Sequence, residues 1–316
     1  MAKSTGYDSM AGRTEHILAL PENRQLAYAH NGPAASRIIG IYFPGLFAGV
    51  HWVSLTLPGM GNSSTRPKSV PYYITIVRDI TALLVHLYPI DAYDTLYLAG
   101  GSYGTVAAQM LYGASYELFP PGRKVAGCVL NAGFSPLRYH TGYSKGLSWA
   151  NYCSFGPPTQ LIPFHSLQRL FKAVIGSKLH DVPGAKKFLY QVIFGKMDND
   201  EKHLLKEYLE TNRLTEDQFV EEMAECTVRC NNNWDGFMEV SDIIHSDWGF
   251  EPKALDKDHT SKPMLIVGSE RDDIRGATND WLVKNYKSAQ LRLFPGGHIS
   301  SMFHSDEIWK EMFSNK

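Results

Sequence analysis

Short apolar runs separated by turn residues open the chain, at residues 17–20, 25–29, 37–43 and 51–57, and their length and bounding predict strands. After Pro58-Gly59-Met60-Gly61, the residues Ile76, Val77, Ile80, Leu83, Leu84 and Leu87 recur on one face of a helix, which must end by Pro89. A strand over 95–99, a helix over 106–112 and a strand over 125–130 follow. Strand and helix in alternation predict the α/β class, a mostly parallel sheet with covering helices.

Between about 134 and 260 the strand pattern stops and helical faces take over, such as Leu167, Leu170, Phe171 and Val174, or Phe219, Val220 and Met223. An inserted helical cap is expected there. The α/β rhythm resumes with a strand over 263–267, a helix over 280–287, a strand over 291–294 and a last helix over 306–313. The predicted organisation is therefore a core of residues 14–133 and 261–316 interrupted by a cap of residues 134–260.

Composition narrows the classes of function. With 316 residues, 44% of them hydrophobic, the chain can bury a sizeable core without staples. Lys and Arg number 31 against 32 Asp and Glu, a balance that argues against a nucleic-acid footprint or a polybasic anchor. Residues 1–15 mix Lys3, Asp8 and Arg13 with no apolar run, and no stretch reaches the about 18 apolar residues of a span. Neither a signal peptide nor a membrane span is expected. Cys128, Cys153, Cys226 and Cys230 are too few for a disulfide framework, so a cytoplasmic protein is expected. Cys226 and Cys230 share a helical face but lack zinc-site spacing, and read as small buried hydrophobes.

Candidate chemistry centres on Gly100-Gly101-Ser102-Tyr103-Gly104, a Gly-x-Ser-x-Gly run between a predicted strand and a predicted helix. Small residues two before and two after the serine let a strained turn close, lifting the hydroxyl clear of the sheet edge. The helix that follows points its N-terminal amides at the same place, where they favour an oxyanion. A serine hydroxyl needs a base held by a carboxylate. Among twelve histidines, His298 in Gly296-Gly297-His298 follows a predicted strand directly, whereas His304 reads as a capping or surface residue. Gly268-Ser269-Glu270-Arg271-Asp272-Asp273 follows the strand before it, which completes the chain order Ser, Asp, His.

On these features, with Leu57-Pro58-Gly59-Met60-Gly61-Asn62-Ser63 after the fourth strand and Trp248-Gly249-Phe250 near the cap's end, the chain resembles the α/β-hydrolase superfamily in its cap-bearing serine branch. The resemblance spans about residues 17–313. It implies Ser102 as nucleophile, His298 as general base and then acid, and Asp272 as orienting acid, with Asp273 the alternative. It also implies an oxyanion hole from the backbone N–H groups of Tyr103 and Leu46, the latter in Tyr42-Phe43-Pro44-Gly45-Leu46, where Pro44 stands in place of the family's histidine. The expected substrate is a small, apolar acyl compound, an ester or similar, and no metal or organic cofactor is implied. Ser102 at the elbow speaks against branches that use a carboxylate nucleophile.

The chain departs from the family between the third and fourth strands. Only residues 44–50 stand where a helical crossover is usual, and a parallel crossover takes a dozen or more residues. Either this helix is lacking and the sheet is locally rearranged, or the chain is a truncated variant of a longer parent, and in both cases Leu46 is expected to be poorly fixed. Two alternatives to an esterase therefore stay open. One is a catalytically impaired or non-catalytic ligand-binding homologue. The other is a proline-iminopeptidase-like aminopeptidase using Glu221, Glu222 and Glu225 of the cap, although their helical spacing reads as a solvated face. Trp149, Phe155, Phe164, Phe171 and Phe188 are candidates to line an acyl pocket or to form the cap's own core.

Overall fold

A computed structural model of the chain describes residues 14–33, 35–43, 51–89, 92–272 and 276–314. Eight strands form one sheet in these residues: β1 (His16–Leu20), β2 (Arg24–Asn31), β3 (Ile38–Phe43), β4 (His51–Leu55), β5 (Thr95–Gly101), β6 (Val125–Asn131), β7 (Met264–Ser269) and β8 (Ala289–Phe294). Their order across the sheet is β1-β2-β4-β3-β5-β6-β7-β8. β1 pairs with β2, and β2 with β4, in antiparallel fashion, and every later pairing is parallel.

The central strands are apolar on both faces, as buried parallel strands must be. In β5, Leu96 and Leu98 enter the large core beneath helices α1 (Tyr72–Leu87) and α2 (Gly104–Gly113), while Tyr97 and Ala99 enter a smaller core on the opposite face. Successive side chains of a strand point to opposite faces, so one run of apolar residues serves both layers. An aromatic cluster helps close the second face. The Trp52 ring lies 4.4 Å from that of Trp309, which also meets Tyr97 and Phe313.

The sheet is not rearranged at the short third-to-fourth connection. β3 and β4 are parallel neighbours, with Ile39 opposite His51 and Tyr42 opposite Ser54. Because of that offset, the chain returns only about 13 Å along the strands and about 4.8 Å across them. Eight peptide steps reach up to about 27 Å, so residues 44–50 suffice for a crossover that usually takes more. Those residues, Leu46 included, lie outside the described ones.

Between β6 and β7 the chain is helical, with α3 (Trp149–Phe155), α4 (Pro158–Leu161), α5 (Ser166–Gly176), α6 (Val182–Val192), α7 (Asn199–Asn212), α8 (Glu216–Cys230), α9 (Asp235–His245) and α10 (Lys257–Thr260). Leu189, Phe194, Leu205, Phe219 and Val220 form a core of this insert. α9 instead sends Ile243 and Ile244, followed by Trp248, into the core beneath the sheet. The loop after β4 grips the insert through two backbone hydrogen bonds, Gly236 N–H to Gly59 O at 2.7 Å and Gly61 N–H to Cys230 O at 2.9 Å. α11 (Gly276–Asn285) and α12 (Ser305–Ser314) complete the α/β frame.

Candidate active site

Ser102 stands between β5 and α2 with φ at 49°, in the left-handed region. That conformation costs a residue with a side chain about 1–2 kcal/mol, so the surroundings must hold it. They do so at three points. Ser102 N–H donates to Asn131 O at 2.8 Å at the end of β6, and Ser102 O accepts from Thr105 Oγ1 at 2.6 Å and from Thr105 N–H at 3.1 Å. Gly100 permits the sharp reversal, because a Cβ there would lie 2.5 Å from the carbonyl carbon and oxygen of Gly104. Tyr103 follows at the N-cap of α2, where helix amides lack intrahelical partners and can receive an anion.

Two strands away, the turn after β7 carries Asp272 and the turn after β8 carries His298. His298 Nδ1 lies 2.9 Å from Asp272 Oδ2. The carboxylate side chain is 2% exposed and the imidazole 41%, so the pair has a sealed end and an open end. With Asp272 ionised, Nδ1 carries the shared proton and Nε2 keeps its lone pair. The two turns are also joined through their backbones, by Arg271 N–H to Gly296 O at 2.8 Å and Glu270 N–H to Phe294 O at 2.9 Å. Gly296 has φ of 102°, a conformation that favours glycine. Asp273, the alternative acid, lies outside the described residues.

Ser102, Asp272 and His298 thus follow the carboxyl ends of β5, β7 and β8, on the one edge where open α/β sheets bind ligands. Asn131 at the end of the intervening β6 links them, accepting Ser102 N–H on its backbone oxygen and Ser301 Oγ–H on its side chain at 2.7 Å. Among the described residues no hydrogen bond joins Ser102 Oγ to His298.

The alpha/beta hydrolase family matches residues 31–311 of the chain. The chain belongs to that family. No curated protein matches it by sequence. Solved structures similar to this hydrolase include an esterase from Rhodococcus sp. ECU1013, at 14% identity and TM-score 0.57, covering 96% of this chain and 99% of that one. A hydrolase from Pseudomonas aeruginosa is 14% identical, with TM-score 0.56 and coverage of 96% and 98%. The thioesterase domain of a curacin biosynthetic pathway is 14% identical, with TM-score 0.54 and coverage of 96% and 99%. At these identities the likeness is one of fold.

A cavity of about 460 Å³ opens beside His298 in this alpha/beta hydrolase. Val192, Ile193, Met197 and Ile299 give it apolar walls, while Asn151, Lys196, Glu201, Arg271 and Asp272 give it polar ones. None of the five aromatic candidates lines it. Trp149 and Phe164 are each 80% exposed, Phe155 is buried in the core beneath the sheet, and Phe188 packs against the insert's core. Glu221, Glu222 and Glu225 do not line it either; Glu221 pairs with Lys186 at 3.5 Å and Glu222 is buried. His304 stands directly before α12 and is half-buried, its ring stacked on Phe294 at 4.2 Å and its pKa lowered by burial. No disulfide joins the cysteines among the described residues; Cys128 is buried, whereas Cys226 and Cys230 are half-buried. Among the described residues no group of three His, Cys, Asp or Glu side chains could hold a metal, and no helix is long and apolar enough to cross a membrane.

Glu201 is the site residue that sequence reasoning missed. Its carboxylate on α7 reaches the His298 turn, accepting Gly297 N–H at 2.7 Å and Ser300 Oγ–H at 2.6 Å. Burial pushes its pKa up, but those bonds, the Asp198 N–H and the Arg271 guanidinium outweigh burial and hold it below the ordinary glutamate value. The spacing Asp198-x-x-Glu201 marks a capping box, which forms as expected of that pattern. It announces a helix start and carries no hint of a contact with residue 297.

Proposed function

We propose that this hydrolase is a serine enzyme that cleaves an ester or a similar acyl bond through an acyl-enzyme. The supporting observation is the His298–Asp272 pair, placed on the same sheet edge as a serine held in a left-handed turn. In this reading His298 Nε2 takes the proton of Ser102 Oγ as it bonds to the acyl carbon, and the resulting oxyanion is received by Tyr103 N–H, the family resemblance implying Leu46 N–H as the second donor. Collapse breaks the bond to the leaving alkoxide, which takes the proton from His298. Water then repeats the sequence and releases the acid. Asp272 stabilises the imidazolium and keeps Nδ1 protonated. The mixed walls of the cavity suit a small acyl substrate with one polar end. Catalytic hydrogen bonds are commonly long in unliganded proteins and tighten with substrate, which accommodates the separation of Ser102 from His298.

Initial rates on p-nitrophenyl esters of increasing acyl length test this reading. Saturable turnover that falls by about 10⁴ or more in both Ser102→Ala and His298→Ala is expected. Turnover that survives Ser102→Ala would refute it. The competing reading, a ligand-binding homologue without turnover, is favoured by the unmade bond between Ser102 and His298. An aminopeptidase is not favoured, because the acidic residues it would use lie away from the cavity.

A further inference from the structure

We propose that Glu201 is a positioning residue that holds the His298 and Asp272 turns together, so that the helical insert sets the geometry of the catalytic pair. The proposal rests on the serine-hydrolase reading above for its consequence in turnover, though not for its structural content.

Glu201 belongs to α7, far from the sheet in sequence, and its side chain is 7% exposed. One oxygen, Oε1, accepts from Gly297 N–H and Ser300 Oγ–H, which flank His298 on either side in the chain. The other, Oε2, accepts from Arg271 Nη2 at 2.9 Å and from Asp198 N–H at 3.2 Å. Arg271 immediately precedes Asp272 and also pairs with the Asp198 carboxylate. A carboxylate offers about four acceptor sites, and here four donors occupy them. A single ionised group therefore restrains the residue before the triad acid and residues on both sides of the triad base. Bonds to an ionised acceptor are shorter and stronger than neutral ones, which makes this a stiff restraint added to the two backbone bonds that already join the turns, Arg271 N–H to Gly296 O and Glu270 N–H to Phe294 O.

Packing points the same way. Ile299 and Met302, which follow His298, pack against the core of the insert rather than that of the sheet. The imidazole thus sits on a turn anchored to the insert at two kinds of contact, and Arg271 extends the anchorage to the Asp272 turn by pairing with both Glu201 and Asp198, while Glu201 alone of the two also binds the His298 turn among the described residues. Glutamine has the same shape but cannot do the same work, because its NH₂ would face a pair of donors whichever way the amide is turned. Misplacement of a catalytic group by as little as an ångström can cost about 100-fold in rate.

The test uses the full-length protein and two readouts. The first is the low-field ¹H NMR resonance of the His298 Nδ1 proton, assigned by its loss in His298→Ala, which needs no turnover. The second is the division of any rate loss between kcat and KM. In Glu201→Gln the resonance should broaden or vanish and kcat fall roughly 10- to 100-fold, with KM changed by less than about threefold. Ser300→Ala, which removes one of four donors, should show the same pattern more weakly and serves if Glu201→Gln fails to fold. Glu210→Gln, an exposed carboxylate on the same helix paired with Lys206, should change neither readout. A folded Glu201→Gln protein with a sharp wild-type resonance and unchanged kcat would overturn the proposal, as would an unaffected Ser300→Ala should that variant have to stand in. A resonance that depends on Glu201 in a protein lacking an activated serine would uphold the positioning role and refute the hydrolase reading.

Discussion

His298 Nδ1 lies 2.9 Å from Asp272 Oδ2, and the carboxylate is sealed while the imidazole opens onto the cavity. The bond fixes which nitrogen is left basic. Asp272→Asn keeps the shape but offers an NH₂ that favours the opposite tautomer. The expected result is a fall of about 10⁴ in kcat with little change in unfolding midpoint, measured by steady-state rates beside thermal melts.

Strain at the elbow predicts a stability difference between two variants that lack the Ser102 hydroxyl. Glycine adopts the φ of 49° at position 102 freely, whereas alanine keeps the steric cost. Ser102→Gly should therefore be more stable than Ser102→Ala by about 1 kcal/mol. Urea midpoints of the two variants decide it.

Acid sensitivity follows from Glu201, whose folded pKa is held below the ordinary value of 4.5. As pH falls through that value, the unfolded chain takes up the proton while the folded one does not. The stabilisation is thus complete above the ordinary value and lost as pH drops through the folded one. Urea midpoints measured from pH 7 downward should fall less steeply in Glu201→Gln than in the wild-type protein, since one linked proton is removed.

The Asp79 carboxylate, buried on α1, meets the Arg24 guanidinium of β2 through two bonds of 2.8 and 2.6 Å. Burial still leaves its pKa raised despite the partner. Arg24→Ala strands that charge and should cost about 3–5 kcal/mol at neutral pH. The loss should shrink toward acid pH, where the orphaned carboxyl is neutral, and replacing both residues with apolar ones should recover most of it. Denaturant titrations of the single and double variants at two pH values check both statements.

Much of the frame was legible because its periodicities are local. The buried runs of β5 and β6 and the helical face of α1 lie where the hydrophobic pattern puts them, and the elbow of Ser102 is written in adjacent residues. The glycine-rich turns after two strands pointed to His298 and to the segment 268–273, the resemblance singled out Asp272 within it, and the structure brings the two side chains within hydrogen-bonding distance. The parallel pairing of β3 with β4 across seven residues was not, because reach depends on the register offset between strands, which no local pattern records. The cavity walls were also illegible. Val192, Ile193, Lys196 and Met197 come from the end of α6 and from around the short 3-10 turn after it, over Phe194–Lys196, where no helical periodicity marks a face toward the cavity. Glu201 was hidden for a related reason, since its bonds to Arg271 and Gly297 span 70 and 96 residues.

Labelling of the intact protein with a fluorophosphonate, read by mass spectrometry beside Ser102→Ala and His298→Ala, tests the central claim without requiring the substrate. A single phosphonyl adduct that disappears in both variants is the predicted result. Absence of any adduct on folded wild-type protein would contradict the account and leave a ligand-binding homologue in its place.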